Sequence, residues 1–237
     1  MSHRKNGLRA LGLTIVAALG LMAFMAAGAQ AHWLILEEGK AVVLAGHNEA
    51  VTVGKHTEDG TLLIAGVNLE ILCQKIEGID VLIEPGTATT APASGKVAFN
   101  ECKGIEKSTK KVVGNCAPIN QPIEAAGKAL VILHTNAQNY VLFEPESGKP
   151  FTTIKFSELC ALTETTNVTG ELVAECGELS AGAFVQEDCN KHQVTHLLRQ
   201  ASETLFPSQL KYGTHVATVD GIATAALASG KSWSGEV

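Results

Sequence analysis

From residue 32 onward, short runs in which apolar and polar side chains alternate one by one are separated by turn-rich pieces such as EPGTATTAPASGK and EPESGKP. A strand turns successive side chains to opposite faces, so this alternation marks strands with one packed and one wet face. Val67, Leu69, Ile71 and Cys73 fall on one such face against Asn68, Glu70, Leu72 and Gln74. In NVTGELVAEC the inward set is Val168, Leu172, Ala174 and Cys176, while Thr169, Glu171 and Glu175 face water and Gly170 marks a bulge or close packing. Further strands are expected at 129–134, 140–144, 151–156 and 214–227. The pattern predicts an all-β fold, an antiparallel β-sandwich or open barrel, built as a single domain over 32–237 with short helical turns at most.

The first 31 residues differ in kind. Arg4, Lys5 and Arg9 precede an apolar run that ends in Ala29-Gln30-Ala31, the small-x-small pattern of a signal-peptidase site. The reading is a Sec signal peptide over 1–31 with cleavage after Ala31; an N-terminal membrane anchor is the alternative. A secreted or cell-wall-associated protein is expected, with no membrane insertion after cleavage. Residues 32–237 keep 15 of the 18 basic and all 24 acidic side chains, a net charge of −9. Such a chain repels phosphate backbones, so nucleic acid is not an expected partner.

All six cysteines lie after residue 31, and an even number in an exported chain points to disulfides. Sequence alone does not select a pairing. Cys102 and Cys116 flank a polar segment able to turn back on itself, and Cys176 and Cys189 bracket a glycine-containing loop. Those two bridges leave Cys73 and Cys160 to join distant strands.

In KHQVTHLLRQ, His192 and His196 stand four apart. On a helix they would share a face about 6 Å apart and grip one metal ion; on a strand they would be separated by about 13 Å. The metalloprotease glutamate is missing between them. A third ligand would come from His215, Asp188 or Glu187, though spacing selects none of them. His32, His47, His56 and His134 are scattered singly. The Gly-Lys pairs starting at 39, 54, 95, 127, 148 and 230 read as turns. No nucleophile elbow or phosphate loop appears. Carboxylates such as Glu144, Glu146 and Asp220 are expected to solvate outer faces. Lys103, Lys107, Lys110 and Lys111 form one basic spot, read as a solvated hairpin tip or a contact for an anionic wall polymer or partner protein. Trp33 and Trp233 anchor terminal strands, or alternatively make an aromatic ligand platform.

The pieces AHW, NLEILC, PIEAAGKALVILH, YVLFEPESGKPFTTIKF, VTGELVAEC, LFPSQLKYG and GKSWSG together resemble a group of uncharacterised exported, cysteine-containing β-rich proteins of actinobacteria. That resemblance implies export and a single bridged β domain, and it carries over no catalytic residues. The expected role is binding or structural, without a cofactor, toward a cell-wall polymer or another exported protein. The alternatives are an extracellular hydrolase acting on polysaccharide, or a metal-binding protein using His192 and His196.

Overall fold

The structure is a computed structural model that describes residues 31–46, 48–55, 60–64, 67–85, 92–160, 162 and 165–237. The expected signal segment, apart from Ala31, and His47 and His56 lie outside these residues. The chain is all-β and antiparallel, as the alternation predicts. In order, its strands are β1 (His32–Glu37), β2 (Lys40–Val43), β3 (Glu49–Lys55), β4 (Gly60–Ile64), β5 (Leu69–Ile83), β6 (Pro92–Glu106), β7 (Ile123–Leu133), β8 (Asn139–Pro145) and β9 (Thr152–Lys155). There follow β10 (Thr165–Thr169), β11 (Leu172–Ser180), β12 (Ala183–Glu187), β13 (Thr195–Gln200), β14 (Lys211–Tyr212), β15 (His215–Asp220), β16 (Ala223–Leu227) and β17 (Trp233–Glu236).

The pairings close on themselves twice. One circuit runs β3-β5-β6-β7-β8-β11-β13-β16 and back to β3. The other runs β5-β4-β15-β14-β10-β9-β7-β6 and back to β5. The long strands β5, β6 and β7 serve both. Cys102–Glu106 of β6 pairs with the start of β5, and residues 92–99 pair with β7. We call the two circuits the first and second barrel. A three-stranded sheet, β17-β1-β2, packs Trp33, Ile35 and Trp233 into the core of the first. The second core gathers Ile71, Ile123, Ile154, Phe156, Val168 and Leu210 among others.

Two expected strands are each broken by a glycine. The 214–227 run divides into β15 and β16 at Gly221 (φ +130°), and NVTGELVAEC divides into β10 and β11 at Gly170 (φ +98°). A Cβ on Gly170 would lie 2.1 Å from the Gln209 carbonyl oxygen, so the break coincides with a close chain crossing. Each break passes the chain from one barrel to the other.

The disulfide expectations are corrected in two of three cases. Cys73 bonds Cys102, Cys116 bonds Cys160, and Cys176 bonds Cys189 as expected. Cys73 and Cys102 are direct neighbours across β5 and β6, with Cα atoms 4.0 Å apart. The 102–116 segment does fold back, through the Ile105↔Val112 bridge, but a 3-10 turn at Gly114–Cys116 ends that ladder before Cys116 reaches Cys102.

Two glutamates assigned to wet faces are instead buried. Glu70 accepts a hydrogen bond from Lys110 at 2.6 Å, and Glu175 accepts one from Arg199 Nε at 3.1 Å. Arg199 also lies 4.1 Å from the centroid of the Phe184 ring. Glu175 is covered by Arg199, its direct partner on β13, and by Phe184 of β12, whose ring lies against Arg199 and Gly177.

Candidate functional site

An eight-stranded barrel is just wide enough for its inward side chains to fill it, or to hold one small ligand when those side chains are small. The inward positions of the first barrel include Ala93 on β6, Ala125 and Ala129 on β7, Ala174 on β11, and Ala223 and Ala225 on β16. They surround a chamber of about 180 Å³ to which all eight strands contribute. Gly95 and Gly127, paired directly across β6 and β7, also line it. A Cβ at Gly127 would lie 2.0 Å from the Glu144 carbonyl oxygen, so the adjoining β8 backbone presses against this pair. Gly54, Gly95 and Gly127 therefore lie within strands, which corrects the reading of every Gly-Lys pair as a turn; Gly39, Gly148 and Gly230 do occupy turns.

Larger apolar groups complete the wall. Val51, Ile83, Val141, Phe143 and Leu198 project from the strands, and Trp33 and Trp233 come from the sheet that packs on the barrel. The two indoles lie with centroids 5.6 Å apart, tilted by 57°. Trp33 Nε1 donates to the Pro92 carbonyl at 3.1 Å, which fixes its edge against β6. The tryptophans anchor terminal strands, as read, and both side chains also line the chamber. The lining also includes the exposed Asp220 at the end of β15, and it touches Lys96 and Lys128, which alternate with the inward Gly95 and Gly127 on β6 and β7.

The histidine pair is not on a helix. His196 is on β13, buried, with Nε2 2.8 Å from the Trp233 carbonyl oxygen and its ring 4.3 Å from the Trp233 ring. Burial lowers its proton affinity, and the hydrogen bond to Trp233 only partly opposes this. His192 precedes the strand, with Nε2 3.5 Å from Ser234 Oγ. The suggested third ligands are engaged elsewhere. Glu187 pairs with Lys191 and accepts from Gln193, Asp188 accepts from the Asn139 and Asn190 amides, and His215 opens β15. Among the described residues no group of three or more histidine, cysteine, aspartate or glutamate side chains is placed to hold a metal ion.

The acids singled out in the sequence are dispersed. Glu146 pairs with Lys149 at 2.6 Å, Asp220 ends β15, and Glu144 sits on β8. Glu171, beside the start of β11, has its carboxyl pushed up by partial burial and then by the Glu144 charge. Of the basic spot, Lys110 is tied to the buried Glu70, which supports the hairpin-tip reading for that lysine. Sequence reasoning missed the chamber. Its signal is the small residues on the inward phase of EAAGKA and ATAA, where a filled barrel would need Val, Ile or Leu.

Three disulfides and no free cysteine fit an oxidising compartment. Among the described residues no helix is long and apolar enough to cross a membrane. Comparison with family models, with curated proteins and with solved structures yields no match to this chain.

Proposed function

We propose that this is an exported binding protein whose first barrel takes a small, uncharged, apolar ligand. The observation that carries the reading is the chamber of about 180 Å³, walled by alanines, branched aliphatic side chains and both tryptophans of the chain. A cavity of roughly 150 Å³ lined by apolar side chains stays dry and binds benzene. By that comparison this chamber suits a ligand of about seven carbons. Export is supported by the leader-like first 31 residues and by the resemblance to exported actinobacterial proteins. N-terminal sequencing of the protein from its host should begin at His32.

Because both tryptophans line the chamber, their fluorescence reports on its contents without an added probe. Titration with toluene should give a saturable change in tryptophan emission and a matching heat in calorimetry. Ala129→Leu, which fills the space between Ala93 and Phe143, should weaken that binding at least tenfold. A wild-type protein that shows neither signal would refute the reading.

A further inference from the structure

The second barrel holds a smaller void of about 40 Å³, lined by Ile71, Ile123, Ile154, Val168 and the Cys73 half of a disulfide. No charged side chain lines it, and the hydroxyl of its Thr152 is already bonded to the Glu124 carbonyl at 2.6 Å. Gly60, Phe99, Phe151 and Val219 line both this void and the first chamber. These four residues form the partition. Gly60 contributes no side chain to it; a Cβ there would lie 3.0 Å from Ile76 Cδ1, so the Ile76 side chain packs against that point of the partition. Phe151 lies in the bend before β9, and its side chain and that of Phe99 are partly buried against the second core.

The two spaces also lie along the same three strands. On β6 the lining passes from Ala93 to Phe99, and on β7 from Ala129 through Ala125 to Ile123; on β5 it passes from Ile83 through Ile76 to Ile71. A void of about 40 Å³ is too small for a ring but takes about two methylenes, judged against the ~150 Å³ that holds benzene.

We infer that the two voids form one binding path and that the ligand class is an unbranched alkyl chain, lying in the first chamber with its end passed between Phe99 and Phe151 into the second barrel. This inference rests on the first chamber being a ligand site. The polar end of such a molecule remains toward Asp220, the exposed lining residue at the end of β15.

The test is a chain-length series, 1-pentanol to 1-decanol, followed by tryptophan fluorescence and calorimetry. Affinity should rise about fourfold per methylene and level off at about nine carbons, the combined capacity of both voids on the benzene comparison. Ile123→Phe and the milder Val168→Ile each add volume to the second void alone. The levelling-off should move to about seven carbons in Ile123→Phe and to about eight in Val168→Ile, with 1-pentanol affinity unchanged. Should Ile123→Phe fail to fold, Val168→Ile carries the comparison. A wild-type break already at seven carbons, or a break that the folded variants leave in place, would overturn the shared path while leaving the chamber as a site for compact ligands. Failure of toluene and every alkanol to bind would overturn both readings.

Discussion

In the first barrel the inward layer of β6, β7, β11 and β16 carries alanine, whereas the second is filled by Ile64, Ile71, Ile123, Ile154, Phe156 and Leu210, each nearly or fully buried. The hollow barrel holds one disulfide, Cys176–Cys189, and the filled one holds two. Strand length explains part of this. The second circuit passes through the two-residue β14 and the four-residue β9, and it closes onto β7 through the single pair Ala125↔Thr152. Few ladder hydrogen bonds hold those strands, so packing and covalent bridges must. The first circuit has longer ladders and tolerates an unfilled centre. A chamber and a filled, twice-bridged core thus occupy different halves of one continuous sheet.

The largest effect should come from the bridges. Replacing Cys116 and Cys160 by alanine removes a link between residues 44 apart, expected to lower unfolding free energy by about 4 kcal/mol in the loop-entropy picture. Replacing Cys176 and Cys189, 13 apart, should cost about 3 kcal/mol. Urea denaturation of the two double variants measures both, and the reverse ranking would show that the first barrel is the more dependent on its staple.

Each barrel buries one glutamate against one cation. Arg199→Ala strands Glu175 and should cost about 3 kcal/mol, because a buried charge is left unpaired. Lys110→Ala should cost only about 1 kcal/mol, since the Lys110 side chain is 65% exposed and water screens it. Equal losses in thermal denaturation would mean that Glu70 is as dependent on its lysine as Glu175 is on its arginine.

Packing changes should have opposite signs in the two halves. Ala129→Val partly fills the chamber and should stabilise by about 1 kcal/mol, while Ile154→Val opens a gap in the filled core and should destabilise by about the same amount. A loss in both would indicate that the alanine layer is already close-packed in solution.

The smallest effect concerns His196 in the first barrel. Burial depresses its folded-state pKa below the ordinary 6.5, with the Trp233 hydrogen bond and the Glu187 charge acting the other way and His192 adding to the depression. The unfolded chain therefore takes up the proton first. The contribution to stability is intact above about pH 6.5 and is lost as pH falls from there through the folded value. Melting temperatures between pH 7.5 and 5 should fall more steeply for the wild type than for His196→Leu; parallel curves would exclude this histidine as a source of the dependence.

The strands themselves were legible, because period-two alternation is a local property. Leu69, Ile71 and Cys73 face the core as read, and so do Val168, Ala174 and Cys176. Burial of the opposite face was not legible. Glu70 and Glu175 obey the alternation and still end up dry, because side chains from later segments, Lys110 in the 107–112 turn and Arg199 with Phe184, cover them. The pairing of Cys73 with Cys102 depends on which strands adjoin, and alternation carries no information about strand order. The spacing of His192 and His196 leaves helix and strand both open; the ladders of β13 to β11 and β16 decide for strand at His196.

Sequence alone determined the all-β character, the antiparallel turns, the short loop that favours a Cys176–Cys189 bridge, the acidic balance and the leader-like first 31 residues, all of them read without knowing which distant segments meet. Only the tertiary structure decided the two closed circuits, the other two bridges, the buried ion pairs and the chamber. Those depend on contacts between distant segments: an inward alanine reads the same in any strand, and becomes the wall of a cavity only when seven other strands close around it.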